Sequence, residues 1–103
     1  MDSFSLWLES DTWSSVSHHD GQDVKMIVTT ELYDRQHPGN KKLMENMRIE
    51  DANYLKNLAN SISTHGFKQP IIIHSNYNID DGLHRLIVAL DQKIEKVPIK
   101  FKT

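Results

Sequence analysis

The segment Ile79-Asp80-Asp81-Gly82-Leu83-His84-Arg85-Leu86 combines residue types suited to holding an anion. A strand-like run stops at a glycine, and apolar residues at helical spacing begin just after it. The first turn of a helix leaves its amides unpaired, and the helix dipole makes that end positive. Gly82 lets backbone approach a ligand closely. Arg85 offers a bidentate fork suited to phosphate. His84 can donate to a phosphate oxygen or carry a proton. The chemistry implied is anion binding at a helix N-terminus. Plainer readings of the same residues stand beside it: Asp81 as an N-cap, and Arg85 as one half of a surface ion pair.

These residues need elements to position them. Leu86, Ile87, Ala89 and Leu90 predict a helix opening near Leu83 or His84 and ending before Ile94. Upstream, Ile71-Ile72-Ile73-His74 predicts a strand covered on both faces, Ser75-Asn76 a turn, and Tyr77 to Asp80 the returning strand. Leu55, Leu58, Ala59 and Ile62 recur at i, i+3, i+4 and i+7, which predicts an amphipathic helix. Asp51 is its expected N-cap and Gly66 its C-cap. Val24 to Thr29 predicts a first strand, and Leu32 to Asn40 a loop with Pro38-Gly39-Asn40 as its turn. Leu43, Met44 and Met47 fit a single helical turn. Val97 to Phe101 predicts a last short strand near an edge, since Pro98 cannot donate to a ladder. The expected order is strand, helix, strand, strand, helix, strand: a small α+β domain with a mixed sheet and packed helices.

Composition narrows the function classes. The chain has 103 residues and a formal net charge of -2, which fits one small domain and argues against gripping nucleic acid by bulk charge. Lys93, Lys96, Lys100 and Lys102, like Lys41 and Lys42, read first as solvated surface. There is no cysteine, so disulfides, thiolate metal sites and cysteine nucleophiles are excluded. No apolar run approaches the roughly 20 residues of a membrane span, and the N-terminus lacks a secretory pattern, so a cytoplasmic protein without a membrane partner is expected. Residues 1–22 read as an N-terminal arm, with Trp7 and Trp13 as packing or docking residues, and residues 23–103 as the domain. His18, His19 and Asp20 lack the spaced partners of a zinc site, so no metal ligand is assigned.

Several short motifs occur together and in order: Leu58-Ala59-Asn60-Ser61-Ile62 running to Gly66, then Gln69-Pro70-Ile71-Ile72-Ile73, then Asp81-Gly82-Leu83-His84-Arg85-Leu86, then Val97-Pro98-Ile99. From Val24 to Phe101 the chain resembles the N-terminal domain of ParB proteins, within the ParB/sulfiredoxin-like superfamily. Its Asp-Gly-x-His-Arg turn is similar to that of ParB-like phage proteins and free-serine kinases of the superfamily. The resemblance implies a nucleotide site in which the Gly-x-x-Arg turn cradles phosphates of ATP or CTP, with Mg²⁺ as an optional companion. Carried over residue by residue, it implies Gly66, Gln69, Pro70, Gly82, His84 and Arg85 as nucleotide- or phosphate-binding residues, and Asp81 of the same turn is counted with them. It also implies Glu31 as a candidate catalytic base, and Asp81 and His84 of the turn stand beside it as candidates for catalysis on their own chemistry. For Glu31, the residues alone favour a surface carboxylate at a strand end.

Departures from the family matter equally. Leu83 stands where sulfiredoxin has its cysteine, so thiol chemistry of that type is excluded. The double arginine of chromosomal ParB is reduced to His84-Arg85. Little chain follows the last expected strand, so a DNA clamp is not expected. Nucleotide binding, with phosphotransfer or nucleotide hydrolysis as its reactions, is the leading reading. A DNA-binding or metal-dependent nuclease using Asp80 and Asp81 is one alternative. A phage-encoded module that inhibits a host protein is the other.

Overall fold

The computed structural model describes residues 24–102. The expected arm over 1–22, with Trp7 and Trp13, and the His18-His19-Asp20 group lie outside the described residues.

Strand β1 (Lys25–Val28) forms from the β-branched run as expected and passes directly into helix α1 (Thr29–Asp34). Thr29 secures this junction. Its amide donates to the Glu95 carbonyl at 2.8 Å and its hydroxyl to the Ile94 carbonyl at 2.6 Å. The loop expected over Leu32 to Asn40 is largely helical. Pro38 opens helix α2 (Pro38–Glu50), which has 13 residues where one turn was expected. Proline at the first helical position sacrifices no bond, because that amide has no acceptor within the helix. His37 is the N-cap, and its Nδ1 accepts from the Asn40 amide at 3.2 Å.

Helix α3 (Ala52–His65) follows after Asp51 alone. Asp51 does sit at the N-cap position, but its side chain makes no capping bond. Gly66 ends the helix with φ 74° and ψ -169°. The positive φ was expected, and the extended ψ makes this a conformation almost restricted to glycine. Strand β2 (Ile71–Ile73) buries Ile71 and Ile73 fully, whereas Ile72 is half-buried rather than covered. Strand β3 (Ile79–Asp81) begins later than expected, because Tyr77 belongs to the turn at φ 72°. Helix α4 (Leu83–Asp91) and strand β4 (Lys96–Phe101) complete the described chain.

The sheet has four strands in the order β1-β4-β2-β3. β4 runs antiparallel to β1 and parallel to β2, and β3 is antiparallel to β2, so the α+β, mixed-sheet class is as expected. The position of β4 is not, since it is interior. Pro98 is tolerated there for a geometric reason. Lys102 donates its amide to the Ile73 carbonyl, and backbone groups on alternate residues face the same neighbour. Pro98 therefore faces the β2 side. Pairing with β2 starts only at Ile71 opposite Ile99, so the missing donor falls just before that ladder begins.

Ile27, Ile71, Ile73, Val97 and Ile99 share one sheet face and are buried against the helices. Leu86, Ile87, Val88 and Ala89 put the middle of α4 into that core. Each of the isoleucine, leucine and valine side chains contributes about 1.5–3 kcal/mol on burial. The first turn of α4 is thus anchored from its next residues onward.

A buried amide ties the hairpin before α4 to the helices. The Gln36 side chain, 4% exposed, donates to the Leu32 and Tyr77 carbonyls at 2.9 and 2.8 Å. Its oxygen accepts from the Ile79 amide and from Asn40 Nδ2, both at 2.9 Å. All its hydrogen-bonding capacity is used, which is the condition for burying an amide without a large penalty.

Candidate functional site

Gly82 is the N-cap of α4, at φ 118° and ψ 18°. A Cβ there would lie 3.1 Å from Arg85 Nη1 and from Ile71 Cγ2, and 3.2 Å from the Ile71 Cα. Glycine is needed twice: for the backbone angle and for the space that the Arg85 guanidinium occupies. That guanidinium folds back over the start of β2. Nη1 donates to the Pro70 carbonyl and Nη2 to Gln69 Oε1, each at 3.3 Å.

Both acceptors are neutral. Arg35 is paired with Glu31 and Arg48 with Asp91, but the third arginine, Arg85, has no carboxylate partner among the described residues. It is half-buried, and a guanidinium is a cation at any physiological pH. Beside it lies a cavity of about 230 Å³ lined by Leu58, Ser61, Ile62, Gly66, Phe67, Lys68, Gln69 and Arg85. The lining holds two cations and no acid. Leu58, Ser61 and Ile62 reach it from one face of α3, and Gly66 to Gln69 come from the loop between α3 and β2. The arrangement can attract an anion and donate to it from Arg85.

Gly66, Gln69, Pro70, Gly82 and Arg85, expected together from two separate segments, do meet here. His84 does not join them. Its Nε2 lies 2.9 Å from Asp51 Oδ2, and its ring packs edge-on against Tyr54 with centroids 4.8 Å apart. The Asp51 carboxylate expected to cap α3 is therefore turned toward His84 instead. Asp81 ends β3 as an exposed residue, and α4 has no side-chain cap, so Asp81 does not act as one. Glu31 lies in the first turn of α1, 3.2 Å from Arg35, and does not line the cavity.

Asp80 is taken up by His74 Nε2 at 3.3 Å and Lys102 Nζ at 3.2 Å. Successive side chains on a strand point to opposite faces, so Asp80 and Asp81 do not converge on one ion. No group of three or more potential metal ligands occurs among the described residues.

Ser61, Phe67 and Lys68 are lining residues that were not among the expected site residues. Lys68 had a signal in its place between Gly66 and Gln69, and Ser61 in its helical spacing with Leu58 and Ile62. Nothing local indicated the Asp51–His84 pair.

Sheet order, helix placement and the glycine-arginine turn define a small α+β domain organised around a strand-to-helix junction. The family model for the ParB N-terminal domain matches residues 17–103, and the chain belongs to that family. One similar solved structure is described as the C2221 form of a Pnob8-like ParB-N domain. It is 15% identical with a TM-score of 0.40, over 78% of this chain and 29% of that one. This chain thus spans less than a third of that chain's length. No curated protein matches it. No helix among the described residues is long and apolar enough to cross a membrane.

Proposed function

We propose that this domain binds the phosphate groups of a nucleotide, ATP or CTP, in the cavity beside Arg85. The observation that carries this reading is the charge of Arg85, held by two neutral acceptors at the wall of a cavity without an acid. A half-buried cation without a counter-ion is costly unless a ligand compensates it, and guanidinium suits phosphate. The cavity volume is below the ~300–1,000 Å³ of sites that enclose a whole organic ligand. It accommodates phosphate while leaving much of a nucleoside outside.

Mg²⁺ would accompany a triphosphate through the phosphate oxygens, since Asp80 and Asp81 do not form a carboxylate pair for it. No reaction step is assigned to Glu31, Asp81 or His84, because none of them lines the cavity. The test is thermal stability with ATP, CTP and GTP in parallel. ATP or CTP raises the melting temperature of the wild type and not of Arg85→Gln. The absence of any shift at millimolar nucleotide would refute the proposal.

A further inference from the structure

We propose that Lys68 makes the Arg85 cavity selective for a terminal, dianionic phosphate over a phosphodiester. The inference rests on the anion-binding reading above and adds the class of ligand to it.

Charge is the first support. Arg85 and Lys68 both line the cavity and no carboxylate does. The groove between α2, α3 and α4 provides a contrast, because there Asp91 neutralises Arg48 within the lining itself. A phosphomonoester carries about -1.5 to -2 charges at neutral pH. A phosphodiester carries about -1 per phosphate, as in a nucleic-acid backbone. Two uncompensated cations match the former, whereas one would suffice for the latter.

Placement is the second support. Phe67 is only 2% exposed and pins the loop between α3 and β2 to the core. Lys68 follows it directly, so a fixed backbone carries the flexible side chain to the cavity rim. Gln69 comes next and accepts from Arg85, which puts both cations along the same short loop. Leu58, Ile62 and Phe67 supply apolar wall beside the charges and suit an aryl group on the ligand.

Phenyl phosphate and methyl phenyl phosphate differ mainly in one charge and one methyl group. Their affinities are measured by NMR titration of wild type, Lys68→Gln and Lys68→Arg. Wild type binds the monoester on the order of tenfold more tightly, a Coulombic preference reduced by solvent at an exposed lysine. Lys68→Gln narrows the preference to about threefold or less by weakening the monoester more than the diester, and Lys68→Arg restores it. Equal affinities in wild type, or a preference undiminished in Lys68→Gln, would overturn the role of Lys68 and leave the anion site standing. If neither ligand binds wild type, the anion site itself is wrong and this inference fails with it.

Discussion

His84 and Arg85 are adjacent on α4, yet their side chains leave its first turn toward different ends of α3. His84 meets Asp51 at the start of that helix, while Arg85 borders a cavity reached by Leu58, Ser61 and Ile62 further along. Asp51 and Ser61 are separated by about 15 Å along the helix axis at 1.5 Å per residue. Two residues that look like one site in sequence therefore have separate surroundings. Arg85 is available to a ligand, and His84 joins α4 to α3.

Arg85→Gln is expected to abolish stabilisation by nucleotide while changing the ligand-free stability by less than about 1 kcal/mol, since glutamine replaces bonds to neutral acceptors only. In the wild type, ligand at a hundredfold its dissociation constant adds about 2.7 kcal/mol. Chemical denaturation with and without nucleotide measures both quantities. Undiminished stabilisation in the variant would place the ligand elsewhere.

Gly82→Ala is expected to cost about 1–3 kcal/mol, because the backbone angle is unfavourable for alanine and the new Cβ meets the Ile71 backbone. It should also displace the Arg85 guanidinium. Urea denaturation gives the first effect and phosphate titration the second. Wild-type stability in this variant would contradict the assigned backbone angle.

Gln36→Leu is expected to destabilise by about 3 kcal/mol or more, since several buried partners lose their bonds at once and each costs about 1–3 kcal/mol. The effect should be local before it is global. Amide exchange at Ile79 should accelerate more than exchange in β1, and uniform acceleration would argue against a dedicated tie to the hairpin.

Asp51→Ala separates a cap from a cross-helix pair. The half-exposed pair with His84 is worth less than about 1 kcal/mol, and the cost of Asp51→Ala should vanish in a His84→Ala background. A true N-cap would cost about 1 kcal/mol whether or not His84 is present. A double-mutant cycle distinguishes the two.

Local signals were strong wherever sterics or periodicity act over a few residues. Gly66 announced positive φ and Gly82 a close approach of backbone, the spacing in Leu55 to Ile62 announced α3, and the run from Leu86 to Leu90 announced α4. Pro38-Gly39 misled because proline serves a turn and a first helical position equally well. Gln36 and Asn40 read as loop residues because their partners, Tyr77 and Ile79, lie about forty positions away.

The chain order therefore carries the glycine-started helix, the arginine in its first turn and the α+β class, all of which follow from short-range geometry and hydrophobic spacing. Side-chain direction and strand neighbours are another matter. Whether Pro98 lies at an edge or inside the sheet depends on where β2 begins to pair. Whether Arg85 finds a carboxylate or only Gln69 and Pro70 depends on how α3 and α4 cross. Those outcomes come from packing between distant segments, because no local preference records which charge will be left without a partner once the core has closed.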